Sequence, residues 1–357
     1  MRVQYISMLA IAAMTFTACN DDDEDDNTPG NQLTIPSEYI APDYEANVAT
    51  ESMVIDELSA LASAAGDAES NAGGSTTIEP LDYPSTLSSV TLPSYRSLIE
   101  NWTVELVNAA NSPTPFQIPL LDANGPAPGE EGGLLGTRLL DEYGLELKQT
   151  IEKGSFGAAL YNHAVAVANG ELIAADVDRL VEIFGSEPTF NPELATAAAK
   201  YAKRRSNQTT QTGFLYDMRD NAITVKAAVE AGSEFNATRD EALQEYLLNW
   251  EKSNFATVIF YCNSAKTGIQ SANSIQDETE RRAALGDAIH AYGEGVGFAH
   301  GFKGLDNKLI TDAEIDQILT NLLAPDGQTP ETYRFLNEAT LLTNFDQIID
   351  DIQAIYG

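Results

Sequence analysis

Apolar residues return every three or four positions through most of this chain, the spacing of helices that bury one face. The pattern predicts helices over about 43–65, 94–110, 134–152, 156–168, 171–184, 192–205, 213–231, 239–269, 278–302, 312–323 and 330–354. Two starts carry the sequence of a capping box: Thr238 with Glu241 ahead of Ala242 and Leu243, and Thr311 with Glu314 ahead of Ile315, Ile318 and Leu319. Between 71 and 93 the segments Thr76-Thr77-Ile78, Tyr83-Pro84 and Val90-Thr91-Leu92-Pro93 read as extended pieces and turns, with at most a small β-hairpin near 75–92. The proline- and glycine-rich run 111–133 excludes helix. Its Asp122-Ala123-Asn124-Gly125 piece lacks the spaced carboxylates and closing Glu of a calcium loop, so a surface turn is expected there. The expected fold is mostly α, a helical bundle. Helix groups on either side of about residue 186 allow two packed lobes, about 40–185 and 186–357.

The N-terminus breaks this pattern. Arg2 and the apolar stretch Ile6 to Phe16 are too short to span a bilayer and suit a signal-peptide core, 1–18, that ends in small residues before Cys19. A cysteine at that junction is the acceptor for lipid in bacterial lipoproteins, and Thr15-Phe16-Thr17-Ala18-Cys19 resembles a lipobox. Asn20 is followed by six acidic residues, Asp21 to Asp26, a self-repelling block that makes a solvated tether over 19–39 together with Pro29, Gly30 and Pro36. The same run resembles the acidic export signal of surface lipoproteins in the Bacteroidetes. The expected address is an outer-membrane lipoprotein, displayed at the surface or else facing the periplasm.

Charge narrows the partners. Lys and Arg number 20 against 54 Asp and Glu, a formal net charge of −34 that becomes −35 once Arg2 is cleaved away. Such a surface repels phosphate backbones and anionic headgroups, which excludes nucleic acid and leaves the lipid as the membrane contact. Lys203-Arg204-Arg205 and Arg281-Arg282 read as solvated helix faces with nothing aromatic interleaved. With Cys19 committed to lipid, Cys262 has no disulfide partner; within Val258-Ile259-Phe260-Tyr261-Cys262 it reads as a small buried hydrophobe. Stability must come from the core, which a chain that is 43% apolar can supply.

Few residues offer chemistry. His163 shares a helical face with Phe156, Leu160 and Val167, which directs it to the core either as a hydrogen-bonded residue or as a ligand. His290 and Glu294 lie one turn apart on a face that also carries Gly286, Gly293, Gly297 and Gly301. Each helical glycine costs about 1 kcal/mol, so the stripe implies either close approach of another backbone or room for a ligand in a groove it lines. The His-Glu pair can supply two metal ligands or an acid-base couple, or it can be a buried hydrogen bond at a tight crossing. His300 points elsewhere. Gly293-Glu294-Gly295-Val296-Gly297 has no preceding strand and so makes no dinucleotide turn; no nucleophile elbow and no His-Glu-x-x-His helix occur. Trp250 reads as core.

The segments Trp250 to Tyr261 and His290-Ala291-Tyr292-Gly293-Glu294-Gly295-Val296-Gly297-Phe298, with Tyr83-Pro84 and Tyr95-Arg96 upstream, resemble the Bacteroidetes lipoproteins grouped as domain of unknown function 4856, over about residues 80–355. That family looks related to the imelysin-like proteins, two-lobed helical bundles associated with iron acquisition and once classed as peptidases. Their Gly-x-His-x-x-Glu hallmark is matched here only loosely, since His290 and Glu294 are one residue further apart and Gly286 is four before the His. The resemblance implies a binding or accessory component of nutrient or metal uptake, with a divalent metal or iron as cofactor and an outer-membrane receptor as partner. Its alternatives are a metal-dependent peptidase of the imelysin type and a structural surface lipoprotein without a small ligand.

Overall fold

Val54, Leu58, Leu61, Ala65 and Ala68 wrap one buried stripe along α2 (Ala49–Ser70), which follows the single turn α1 (Tyr44–Asn47). These coordinates are a computed structural model that describes residues 32–112, 115–119, 125–127 and 130–357. Next come α3 (Ser85–Val90) and α4 (Pro93–Asn111), the latter opening on a proline whose missing N–H no first turn needs. A tight antiparallel hairpin pairs β1 (Gly133–Leu135) with β2 (Arg138–Leu140), Leu134 opposite Leu139. One continuous bent helix then runs through α5 (Leu147–Ser155), a π-helical turn (Phe156–Tyr161) and α6 (Asn162–Ala168).

The second half holds α7 (Ala174–Phe184), α8 (Ala197–Arg204), the short strand pair β3 (Ser206–Asn207) and β4 (Thr212–Gly213), and α9 (Phe214–Ala231). The long α10 (Asn236–Ala272) and α11 (Glu278–His300) are joined by a short turn and pack against each other. The chain continues through α12 (Asp312–Asn321), two 3-10 turns (Thr332–Leu336 and Ala339–Leu342) and α13 (Thr343–Tyr356). Residues Leu33–Gly357 form one unit around one apolar core, in which Trp250 is fully buried. Among the described residues, no helix is long and apolar enough to cross a membrane.

The core is organised by a crossing of α11 over α5 in which backbones touch. A Cβ on Gly297 would lie 2.7 Å from the carbonyl oxygen of Gln149, and one on Gly301 would fall on the carbonyl of Gly154. From the other side, a Cβ on Gly157 would come within 2.5 Å of the Gly301 carbonyl oxygen. Tyr95 seals the crossing: its hydroxyl donates to the Thr150 carbonyl at 2.7 Å and occupies the place a Gly154 side chain would take. Of the two reasons a glycine stripe allows, close approach is the one these positions meet. Gly286 likewise abuts the Leu135 carbonyl, and Gly293 packs on Glu146 and Gln149, so the stripe seats α11 on α5 and β1 instead of lining an open groove.

The elements depart from the sequence pattern in several places, and α8 begins at Ala197 where the pattern starts a helix at 192. No strand forms at 75–92, where Ser85–Val90 is helical; the strand pairs lie at 133–140 and 206–213. The expected helix 134–152 loses its first part to the β1–β2 hairpin, because Gly132, Gly133 and Gly136 take positive φ and Gly136 makes the turn. Thr238 lies inside α10, which begins at Asn236, so its capping box is unused. The expected helix 330–354 is tightened into 3-10 turns before α13. The other box is built as read: Thr311 Oγ1 accepts from Glu314 N at 3.2 Å and Thr311 N donates to Glu314 Oε2 at 2.7 Å.

Two glycines on the same helix run separate these causes. Gly301→Ala should lower stability by about 1–3 kcal/mol, since the added methyl overlaps backbone that cannot yield. Gly295, whose Cβ would meet nothing nearer than the Tyr261 Cβ at 3.5 Å, should accept alanine with no loss or with a gain of up to ~1 kcal/mol. Urea melts of both variants beside the parent chain check this.

Candidate functional site

The β2–α5 junction places Glu146 at the start of α5, fully buried under α11. His290 reaches it from α11: Nδ1 lies 3.1 Å from Glu146 Oε1 and 2.9 Å from Oε2, while Gln149 Nε2 donates to Oε1 at 3.2 Å. Gln149 Oε1 is buried without a partner among the described residues. The imidazole is 26% exposed, so the pair has one side in water and one in the core. Gly293 is what lets this happen, because a side chain there would press on Glu146 Cβ at 3.3 Å.

Glu294 does not join His290. One turn further along α11, it turns to Tyr201, whose hydroxyl donates at 3.4 Å, and to Lys153 at 3.6 Å. Burial, followed by the Glu294 carboxylate, pushes the Tyr201 phenol upward. Lys153 is itself buried, pairs with Glu152 at 2.7 Å and sits 5.5 Å from the Tyr201 ring centre. His290 and Glu294 thus face different partners from one helix face, and the couple they make is His290 with Glu146.

His163 lies where the π turn gives way to α6, with Nε2 3.1 Å from Glu51 Oε1. Glu51 is buried and also accepts from Arg179 Nε at 2.8 Å. Burial opposes its charge, yet the hydrogen bonds from His163 and Arg179 outweigh that and hold the carboxyl below its ordinary range. The cluster continues through α7: Arg179 pairs with Asp176 at 2.9 Å, and Asp178 takes Lys226 at 2.6 Å and Tyr39 at 2.6 Å. This is an interlocked ionic layer between α2, α6, α7 and α9.

His300 ends α11 wedged between Tyr95 and Trp102, with ring centres 5.3 and 5.8 Å away. Its Nε2 is 3.2 Å from Asp326 Oδ1, and Lys303 reaches the other Asp326 oxygen at 2.7 Å. The hydrogen bond from His300 holds the Asp326 carboxyl far below its ordinary value. Periodicity set His300 aside; its partner lies in the turn after α12, which no spacing along α11 could reveal.

Sequence patterning also passed over a half-open cleft of about 480 Å³ between α6, α10 and the loop before α12, lined by Leu243, Leu247, Leu248 and Leu309 with Asn169 and Lys308. Glu251 holds its wall in place, accepting from Leu309 N at 2.8 Å, Ile310 N at 2.8 Å and Tyr356 Oη at 2.6 Å. The basic runs are solvated in part, with Arg204 exposed and Arg281 paired to the exposed Glu278, while other members reach across the fold. Arg282 donates to the Phe116 carbonyl at 2.8 Å and so ties down the segment before β1, and the guanidiniums of Arg204 and Arg205 lie over the rings of Tyr201 and Phe260. Cys262 is buried, and burial raises its thiol to about 12, so it packs and does not react. Cys19, the acidic run Asp21 to Asp26, and Asp122 with Asn124 lie outside the described residues.

A metal would need a third donor beside any of these pairs. Among the described residues, no three of His, Cys, Asp and Glu are grouped to hold one. No protein-family model, curated protein or solved structure matches the chain.

Two measurements test these assignments. His290→Ala should cost about 1–3 kcal/mol in denaturant melts, because it strands the buried Glu146 carboxylate with a single amide donor; His290→Gln should recover part of the loss. Calorimetric titration with iron, zinc and calcium should give the same heats for parent and His290→Ala, and a metal heat lost in the variant would make the pair a ligand set. The second concerns pH. A carboxyl whose folded pKa lies below its unfolded value stabilises the fold above the unfolded value, and that contribution is lost as pH falls toward the folded one. Asp326 is such a group, so acidification from about pH 5 to pH 3 should weaken the parent more than Asp326→Asn in urea melts across that range.

Proposed function

We propose that this chain is a lipid-anchored protein of the outer membrane, displayed at the cell surface, that serves as a binding or accessory component of nutrient uptake. The observation that carries the reading is the junction at Cys19: a short apolar leader, a cysteine after small residues and an acidic run directly behind it. The absence of a membrane-crossing helix among the described residues is consistent with a lipid as the attachment. The resemblance of residues 80–355 to Bacteroidetes lipoproteins and imelysin-like bundles supports the uptake class. A binding role also suits a helical unit whose histidines are engaged with carboxylates and whose surface keeps a partly apolar cleft of ligand size.

The metal-dependent peptidase reading asks for a ligand set that the described residues do not assemble. Peptide hydrolysis by the purified chain, abolished by a chelator, would replace binding with catalysis. For the anchor, Cys19→Ala should move the protein from the membrane fraction to soluble or unprocessed material, read by fractionation and by mass. A variant that stays firmly bound to membranes would remove the lipoprotein reading.

A further inference from the structure

Lys203, Arg204 and Arg205 close α8 and lead into β3. Lys203 pairs with Glu193 at 3.1 Å, as most cations of this acid-rich chain pair with a carboxylate. Arg204 and Arg205 form no ion pair among the described residues. Instead the Arg204 guanidinium carbon lies 4.9 Å from the ring centre of Tyr201, and that of Arg205 lies 4.9 Å from the ring centre of Phe260. With 54 acidic groups against 20 basic ones, two successive guanidiniums without a carboxylate stand out. A guanidinium held over an aromatic ring spends no N–H on a carboxylate there, so its donors remain to take a carboxylate or phosphate through two parallel bonds.

The surroundings favour a ligand at this place. Phe260 is one of the large exposed apolar residues, at 52%, and Arg205 is partly buried beside it, which lowers its pKa from the ordinary guanidinium value. Together with Ala256, Ile259 and Asn263, the two arginines and Phe260 line a shallow concavity of about 600 Å³. The nearby Glu294 is engaged by Tyr201 and Lys153 and pairs with neither arginine. The overall negative charge weakens with distance, since salt screens it beyond ~8 Å at physiological ionic strength, so the charges at the concavity itself decide what it accepts.

We infer that this concavity binds a small anion carried on an apolar body, a carboxylate or phosphate held by the forks of Arg204 and Arg205 with its apolar part laid against Phe260 and Ile259. The site is separate from the anchor, from the leucine-lined cleft and from the His290–Glu146 pair, and it stands whether or not the uptake reading does.

Calorimetric titration of the purified full chain with phenyl phosphate, benzoate, inorganic phosphate and benzylamine tests it. At least one of the two aromatic anions should bind saturably at one site, their ratio identifying the preferred head group, while benzylamine should not bind. Arg204→Ala, an exposed position, should weaken that anion at least about tenfold with an unchanged melting midpoint, the loss expected for one charge-assisted hydrogen-bonded contact. Phe260→Ala should weaken the aromatic anion and leave inorganic phosphate unaffected. Arg205→Lys keeps the charge but loses the planar fork and should fall between the parent and Arg204→Ala. Absence of saturable binding by both aromatic anions, equal binding of benzylamine, or an affinity unchanged in Arg204→Ala would overturn the proposal.

Discussion

The centre of the described fold is the contact between the α11 and α5 backbones. Two helices meeting through ordinary side chains stay about 8–10 Å apart. Here Gly157 on one side and Gly297 and Gly301 on the other remove the intervening side chains, so that carbonyls lie where methyl groups would be, and at Gly154 the Tyr95 hydroxyl takes that place. The propensity lost at each glycine is offset by dispersion contacts between two main chains and by the exclusion of water from their seam. The same closeness brings Glu146 under His290, Lys153 beside Glu294, and Tyr95 against both His300 and the Thr150 carbonyl. The polar pairs of α11 are a product of that seam.

The fold class was legible because helical spacing recurs through nearly every segment that folds as a helix, and the Thr311–Glu314 box fixed one start to the residue. The largest failure has a clear cause. Periodicity reports which face of an element is buried and is silent about turns whose geometry depends on a few glycines, so the 133–140 hairpin carries a helical pattern. The N-cap of α11, Asp277 accepting from Glu280 N at 3.0 Å, was equally local but stood outside any apolar run.

The candidate site was legible only by half. His290 and Glu294 were recognisable as neighbours on one face, which they are, but each partner comes from a remote segment: Glu146 for the first, Lys153 and Tyr201 for the second. The same holds for Glu51 beside His163 and Asp326 beside His300. Spacing along one helix establishes that two side chains can touch. It does not rank that contact against partners of opposite charge that the tertiary fold delivers, and in an acid-rich chain such partners are abundant for every histidine. Arg204 and Arg205 differ in another way: the run reads as a solvated face, and its guanidiniums lie over the rings of Tyr201 and Phe260.

The π turn at Phe156–Tyr161 carries a consequence for how this sequence can change. A π turn amounts to one extra residue in an α-helix. Deleting one of its six residues would restore an ordinary helix and leave the flanking segments close to their present faces, because the wide turn is what absorbs the extra residue. What the deletion would change is local: the Ala158 carbonyl, now met by Leu92 N at 2.7 Å, would be drawn back to the helix ladder. The segment before the turn is held by the glycine seam and the segment after it by the ionic layer. The turn therefore gives up part of one helix's ladder to hold the junction between α3 and α4, and a chain that lost it would need another acceptor for Leu92 N.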